Sequence, residues 1–170
     1  MKCIGRGLFS TVYQKNKNKV LIVSTDPVKE CMANGWFPRS SLFPKVVPVG
    51  SQDEKSMYEM KYYQKVTAPK QQLNPAGYDL YCALRNGAHQ QCGKQGYSQV
   101  TFQIEALPKK HTTAKRALLA AVEALTNYGE DISFEISPRN IVATKTGKLI
   151  LLDCFFMRTA AERQRKRLRT

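Results

Sequence analysis

Apolar positions recur along this chain with two periods. Over residues 114–128, Ala114, Ala117, Leu118, Ala121, Val122 and Leu125 stand at offsets of 3, 4, 7, 8 and 11, one stripe of a helix. Thr113 is placed to cap it and Gly129 suits the position just past its end. Residues 26–34 predict a shorter helix, with Asp26 as N-cap and Pro27 at its first position. Its Glu30 reads as solvent-exposed, and Trp36 and Phe37 behind it read as core. Elsewhere the apolar runs are short and broken by turn residues. Residues 4–13 form a strand interrupted at Gly5-Arg6-Gly7, and residues 19–23 follow the turn Asn16-Lys17-Asn18. Residues 43–50 and 56–63 pair about the polar turn 51–55. These runs predict a five-stranded antiparallel sheet in an α+β fold. Residues 69–77 read as loop because of Pro69, Asn74-Pro75 and Gly77, and residues 78–85 have helical spacing that ends at Asn86-Gly87. Residues 88–98 read as loop, and 99–107 fit either an extended segment or a helix start.

The most informative stretch is 133–156. A polar loop, Glu135 to Asn140, leads into the β-branched run Ile141-Val142-Ala143-Thr144. The turn Lys145-Thr146-Gly147 and a second apolar run, Leu149-Ile150-Leu151-Leu152, follow, and the stretch reaches a lone acid, Asp153. Two short strands about a Gly-containing turn predict a hairpin, which brings Asn140 beside Asp153. An amide oxygen and a carboxylate held together, with Glu135 on the adjoining loop, make a hard-oxygen site suited to Mg²⁺. At the other end of the chain, Gly5-x-Gly7 allows backbone N–H groups to approach phosphate oxygens with no Cβ in the way. The same spacing also serves an ordinary hairpin turn.

Composition narrows the classes. The five cysteines (Cys3, Cys31, Cys82, Cys92, Cys154) are odd in number, show no Cys-x-x-Cys spacing and have only His89 and His111 beside them. Neither a disulfide framework nor a zinc site is expected, and a reducing, cytoplasmic compartment fits. No apolar stretch follows Met1-Lys2 in the manner of a signal peptide, and no window is apolar enough for a membrane span. The net charge of +14 suits contact with nucleic acid or acidic protein surfaces, and equally a basic exterior that keeps the protein in solution.

At these residues the chain resembles the protein kinase fold. The catalytic-loop pattern H-R-D-L-x-x-x-N overlays on Ser133-Phe134-Glu135-Ile136-Ser137-Pro138-Arg139-Asn140, and Asp153 falls on the Asp of Asp-Phe-Gly. The pattern G-x-G-x-x-G-x-V overlays on Gly5, Gly7, Ser10 and Val12, with Ser10 in place of the third Gly. Phe9-Ser10, Tyr13, Asn140-Ile141 and the Arg163–Arg169 tail extend the similarity to the early serine/threonine protein kinases of short-tailed bacteriophages. The resemblance implies a reduced bilobal architecture: residues 1–65 as an N-lobe, 66–157 as a truncated, mainly helical C-lobe, and 158–170 as a basic tail. It implies ATP and Mg²⁺ as cofactors, with Gly5, Gly7, Ser10 and Val12 around the nucleotide, Asn140 and Asp153 on the metal, and Glu135 as the catalytic acid-base residue. Residues 61–65 would be the hinge beside the adenine. It also implies host proteins as substrates, host transcription machinery among the partners, and the host cytoplasm as the location.

The third strand departs from this pattern. Where V-A-I-K places a Lys on the phosphates, Ile22 or Val23 stands here. Loss of such a preorganised donor costs about 3–4 kcal/mol, or roughly 10²–10³ in rate. Lys2, Lys15 and Lys19 are the neighbouring cations that could reach the phosphates instead. Glu30 occupies the place of that Lys's usual partner. Two readings of different class therefore stand beside the phosphotransferase: a catalytically dead kinase-like module that binds a host protein through its basic surface, and a nucleic-acid-binding protein led by the tail.

Overall fold

The computed structural model describes residues 1–89 and 96–169. It is α+β. Strands β1 (Lys2–Arg6), β2 (Ser10–Gln14) and β3 (Lys19–Ser24) precede helix α1 (Pro27–Ala33), and β4 (Val46–Gln52) and β5 (Lys55–Lys61) follow it. The five strands form one antiparallel sheet in the order β1-β2-β3-β5-β4, as the apolar runs predict. Strand β3 lies in the middle and is the most apolar, with Val20, Leu21 and Ile22 buried. Pro48, which has no N–H to donate, sits at a register shift on the edge strand β4, where a missing donor costs least. The turn between β4 and β5 is tighter than the polar run 51–55 suggests, because both strands continue to Gln52 and Lys55 and leave only Asp53 and Glu54, at φ 48° and 63°, to reverse the chain.

Helix α1 forms as its signals predict. Asp26 caps it by accepting from the Val28 N–H at 2.9 Å, and Pro27 occupies the first turn. Its buried side chains are Val28, Lys29, Cys31 and Met32, while Glu30 is exposed. Phe37 is core, as expected, but Trp36 is 52% exposed and only leans on Tyr128.

The second half opens with the short strand β6 (Gln64–Lys65), then α2 (Pro69–Gln72), α3 (Pro75–His89), α4 (Tyr97–Glu105) and α5 (Thr112–Leu125). Residues 69–77 are therefore two helix starts rather than a loop. Pro69 and Pro75 each stand at a first helical position, where a missing N–H is harmless, and Asn74 caps α3 by accepting from the Gly77 N–H at 2.8 Å. Residues 97–105 resolve the open segment as helix, with Val100 and Ile104 buried one turn apart. Of the loop expected over 88–98, residues 90–95 lie outside the described residues, while 88–89 still belong to α3 and 97–98 open α4, so α3 runs past the Asn86-Gly87 signal. Helix α5 carries the predicted stripe to the core, with Leu118, Ala121 and Leu125 fully buried. Its N-cap is His111 rather than Thr113, since the helix begins at Thr112, directly after a 3-10 turn at Lys109–His111. A further 3-10 turn, Thr126–Tyr128, carries the helix end to Gly129 at φ 131°.

Four short strands complete the core: β7 (Ile132–Phe134), β8 (Ile141–Ala143), β9 (Leu149–Leu151) and β10 (Phe155–Met157), followed by helix α6 (Arg158–Arg167). Strands β8 and β9 form the predicted hairpin, to which β6 adds an edge. Strands β7 and β10 form a separate antiparallel pair. Phe155 anchors that pair among Phe134, Phe43 and Phe37, with ring centroids 4.8, 6.5 and 6.3 Å away. Among the described residues, no helix is long and apolar enough to cross a membrane.

The hairpin turn is locked onto the α2–α3 junction, where the Asn74 N–H donates to the Gly147 carbonyl at 2.8 Å. Gly147 sits at φ 73°, and a Cβ there would lie 2.7 Å from the Asn74 nitrogen. A Gly147→Ala protein is expected to lose about 2 kcal/mol from combined backbone strain and overlap. Urea unfolding measures this, and a change below about 0.5 kcal/mol, the range of inert surface substitutions, would contradict it.

Candidate active site

The candidate residues are assembled by two strand pairings. Register β8–β9 sets Ile141 against Leu151, so the next residues outward face each other. Both the Leu152 and Asp153 N–H groups donate to the Asn140 carbonyl, at 2.9 and 3.1 Å. Register β7–β10 sets Phe134 against Phe155, and the Glu135 N–H donates to the Cys154 carbonyl at 2.8 Å. Glu135, Asn140 and Asp153 therefore line one pocket of about 180 Å³, together with Leu8, Phe9, Ser10 and Asp26. Asp153 is 58% exposed toward it, and among the described residues neither the Asn140 amide nor the Glu135 carboxylate makes a side-chain hydrogen bond.

A second pocket of about 170 Å³ adjoins the first and shares Ser10 and Asp153 with it. Its walls are apolar: Ile4, Val12, Val20, Ile22, Met60, Val142 and Leu152, with residues 61–63 and Lys65 at one side. Each pocket is small for a whole nucleotide, but the joined pair offers a flat apolar slot for a base and a polar end for phosphates. Gly5 and Val12 line the apolar slot, and Ser10 stands at the junction. Gly7 lines neither pocket; its N–H closes the loop by donating to the Ser10 carbonyl at 2.8 Å. Neither Gly5 nor Gly7 has the positive φ of Gly147, and a Cβ on Gly5 would meet only the Val12 side chain at 3.8 Å. The fold does not itself demand glycine at position 5, whereas a ligand lying against that strand would.

The cation absent from β3 comes from α1. The Lys29 amine crosses from the helix to donate to the Leu152 carbonyl at 2.8 Å and lies 3.3 Å from Asp153 Oδ1. Its side chain is 6% exposed, and it lines the apolar slot. Burial works against its charge, but the carboxylates of Asp153 and Asp26 outweigh that and hold its pKa above the ordinary value. Lys29 is thus a cation in the apolar slot, held against Asp153, which both pockets share. Two of the cations considered from sequence are engaged elsewhere, because Lys15 and Lys19 both pair with Glu59. Lys2 is exposed and lines neither pocket. Ile22, not Val23, is the β3 residue that faces the slot.

Asp26 was legible only as a helix cap. Here it is also a wall of the polar pocket, 4% exposed, with burial pushing its carboxyl up to about 6 against the partial offset from Lys29. A hydrogen-bonded chain links it to the glycine loop: the Asp26 N–H donates to Ser24 Oγ at 3.0 Å, which lies 2.7 Å from Ser10 Oγ. Cys154, next to Asp153, is buried, and burial pushes its thiol far above the ordinary range, so it is not a nucleophile. Lys29 did leave a trace in the sequence. It stands three residues before Met32 and beside Val28, inside the apolar stripe of α1 rather than on the polar side with Glu30.

Among the described residues, no group of three or more His, Cys, Asp or Glu side chains forms a preassembled metal cage. The oxygen donors on the pocket wall are two exposed carboxylates, Asp153 and Glu135, and the Asn140 amide, of which Asp153 and Asn140 are the adjacent pair. That pair fits Mg²⁺, which keeps several waters and takes one or two carboxylates together with substrate phosphates. No family model matches the chain, and no curated protein matches it in sequence.

Proposed function

We propose that this chain is an ATP- and Mg²⁺-dependent phosphotransferase of protein-kinase type, acting on Ser and Thr hydroxyls of host proteins. The observation that carries the reading is Lys29: a buried, charged amine held against Asp153, where an apolar slot meets a pocket of oxygen donors. The amine is 6% exposed while its carboxylate partner is 58% exposed, so the pair turns the carboxylate toward the open pocket. The open carboxylate is free to take a further ligand.

In this reading residues 1–65 and 66–157 act as two lobes about the cleft, and the base enters between Val12, Val20 and Leu152. Ser10 and the Gly5–Gly7 loop approach the phosphates from above, and Lys29 binds them from α1. Mg²⁺, held by Asn140 and Asp153, would neutralise charge that develops on the transferred group. Glu135 borders the same pocket with a free carboxylate, positioned to orient the substrate hydroxyl and accept its proton. Phosphoryl transfer asks mainly for positioning and charge stabilisation, so the extra methylene of Glu over Asp is tolerated.

The test is transfer of labelled phosphate from Mg²⁺-ATP to the protein itself or to host lysate, beside an Asp153→Ala variant. The wild-type protein should transfer label and gain thermal stability with Mg²⁺-ATP, and the variant should lose both. Equal labelling by the two proteins would refute the assignment. Nucleotide-dependent stabilisation without transfer would leave a binding module in its place.

A further inference from the structure

The C-terminal helix α6 is not a detached tail. The Arg158 N–H donates to the Asp131 carbonyl at 3.1 Å, the Thr159 N–H donates to the Asp131 carboxylate, and Ala161, 2% exposed, packs under the body. These contacts fix which side of the helix faces the cleft. Arg165 lies four residues beyond Ala161 and so on the same face. It borders the polar pocket with Glu135, Asn140 and Asp153, and it is the one cation among the described residues lining that pocket. Among the described residues, Arg165 has no ion-pair partner. Arg163 and Lys166 on the helix and Arg169 just past its end are also exposed, and Leu168, 69% exposed, follows at the helix cap.

We infer that this face of α6 docks an acidic stretch of a protein substrate, so that the Ser or Thr delivered to Glu135 is one flanked by Asp or Glu. This rests on the phosphotransferase reading above. The charge layout favours such a partner. The pocket itself holds three carboxylates, Asp26, Glu135 and Asp153, while Arg165 alone of the α6 cations borders it and Arg163, Lys166 and Arg169 are exposed nearby along the chain. A peptide with a neutral hydroxyl residue at the centre and acids beside it matches both regions. A nucleic acid, charged at every phosphate, would set negative charge against those carboxylates. Arg169 stands in the turn just past the helix end, about one turn of chain beyond Arg165, so recognition reaches the acids immediately beside the acceptor. Arg can bind each carboxylate through two parallel N–H donors.

The test uses two synthetic peptides, each with one Ser, flanked on both sides by Glu in one and by Gln in the other. Binding by fluorescence anisotropy and phosphorylation with Mg²⁺-ATP are measured on the whole protein. The Glu peptide is expected to bind about five- to tenfold more tightly at low salt, with the preference shrinking as salt rises. Arg165→Gln should bring the ratio between the peptides toward one, and Arg165→Lys should restore much of it. Equal binding of the two peptides, or an unchanged ratio in Arg165→Gln, would overturn the inference. So would a rise in KM for ATP rather than for peptide, which would place Arg165 on the nucleotide. An RNA oligonucleotide that outcompetes the Glu peptide would assign the face to nucleic acid instead. A Glu preference in binding without transfer would leave the docking face standing and sink the phosphotransferase reading; transfer with no charge preference would do the reverse.

Discussion

On the phosphotransferase reading proposed above, a Lys29→Met protein is expected to transfer phosphate about 10²–10³-fold more slowly than the wild type, the loss typical of removing one preorganised donor to developing charge. The fold should survive the change. Met fills most of the aliphatic space of the Lys stem, and Asp153, 58% exposed, is hydrated once the amine is gone. A melting curve recorded beside the assay separates lost chemistry from lost structure. The same position gives a rescue. Ile22 lines the slot that Lys29 enters and is 2% exposed. In the Lys29→Met background, Ile22→Lys should return part of the activity, because an amine entering from the sheet can reach the same phosphates. Undiminished transfer by Lys29→Met would remove Lys29 from the mechanism.

Asp26→Asn is expected to stabilise the protein, and only above the acid range. In the folded protein the Asp26 carboxyl is pushed up to about 6, against 3.8 ordinarily, chiefly by burial. The folded state therefore holds that proton more tightly than the unfolded chain does. Stability from this group is greatest below pH 3.8 and declines as pH rises toward 6, after which it is level. At about 1.4 kcal/mol per pH unit, the interval between 3.8 and about 6 corresponds to a cost of about 3 kcal/mol at neutral pH. Asn keeps a side-chain oxygen for the Val28 N–H and caps helices well, so it removes the buried charge without removing the cap. Urea unfolding at pH 8 should show Asp26→Asn more stable by about 2–3 kcal/mol, with the two proteins converging near pH 4. A variant less stable at pH 8 would show that the charge, through Lys29, contributes more than its burial costs. A carboxylate kept at such cost in the wall of the polar pocket is a common mark of a working site.

Much of the fold was legible because it is specified locally. The stripe from Ala114 to Leu125 needs one helix face and no partner in sequence to define it. The runs at Lys19–Ser24, Ile141–Ala143 and Leu149–Leu151 carry β-branched and apolar residues between turn signals, and each forms a strand. The prolines at 69 and 75 misled in the opposite direction. Proline marks an interruption, but it does not say whether a loop or a first helical turn follows; at Pro75 the Asn74 side chain decides for the helix, and before Pro69 Gln72 accepts from the Thr67 and Ala68 N–H groups.

Local order in the chain was thus enough for the five-stranded sheet, for α1 and α5, and for the hairpin that sets Asn140 beside Asp153. In that hairpin, turn and register leave a single arrangement once the strands pair. The cation of the cleft was beyond its reach. Lys29 and Asp153 are 124 residues apart, and nothing in either neighbourhood names the other. They meet because α1 packs against β10, with Phe155 fixed among Phe37, Phe43 and Phe134, and this turns one helical side chain into the slot. The same holds for Arg165, whose place at the pocket follows from Ala161 and Asp131 clamping α6. Periodicity tells which residues share a face; which face meets a cleft depends on packing between elements, and that is a property of the assembled core.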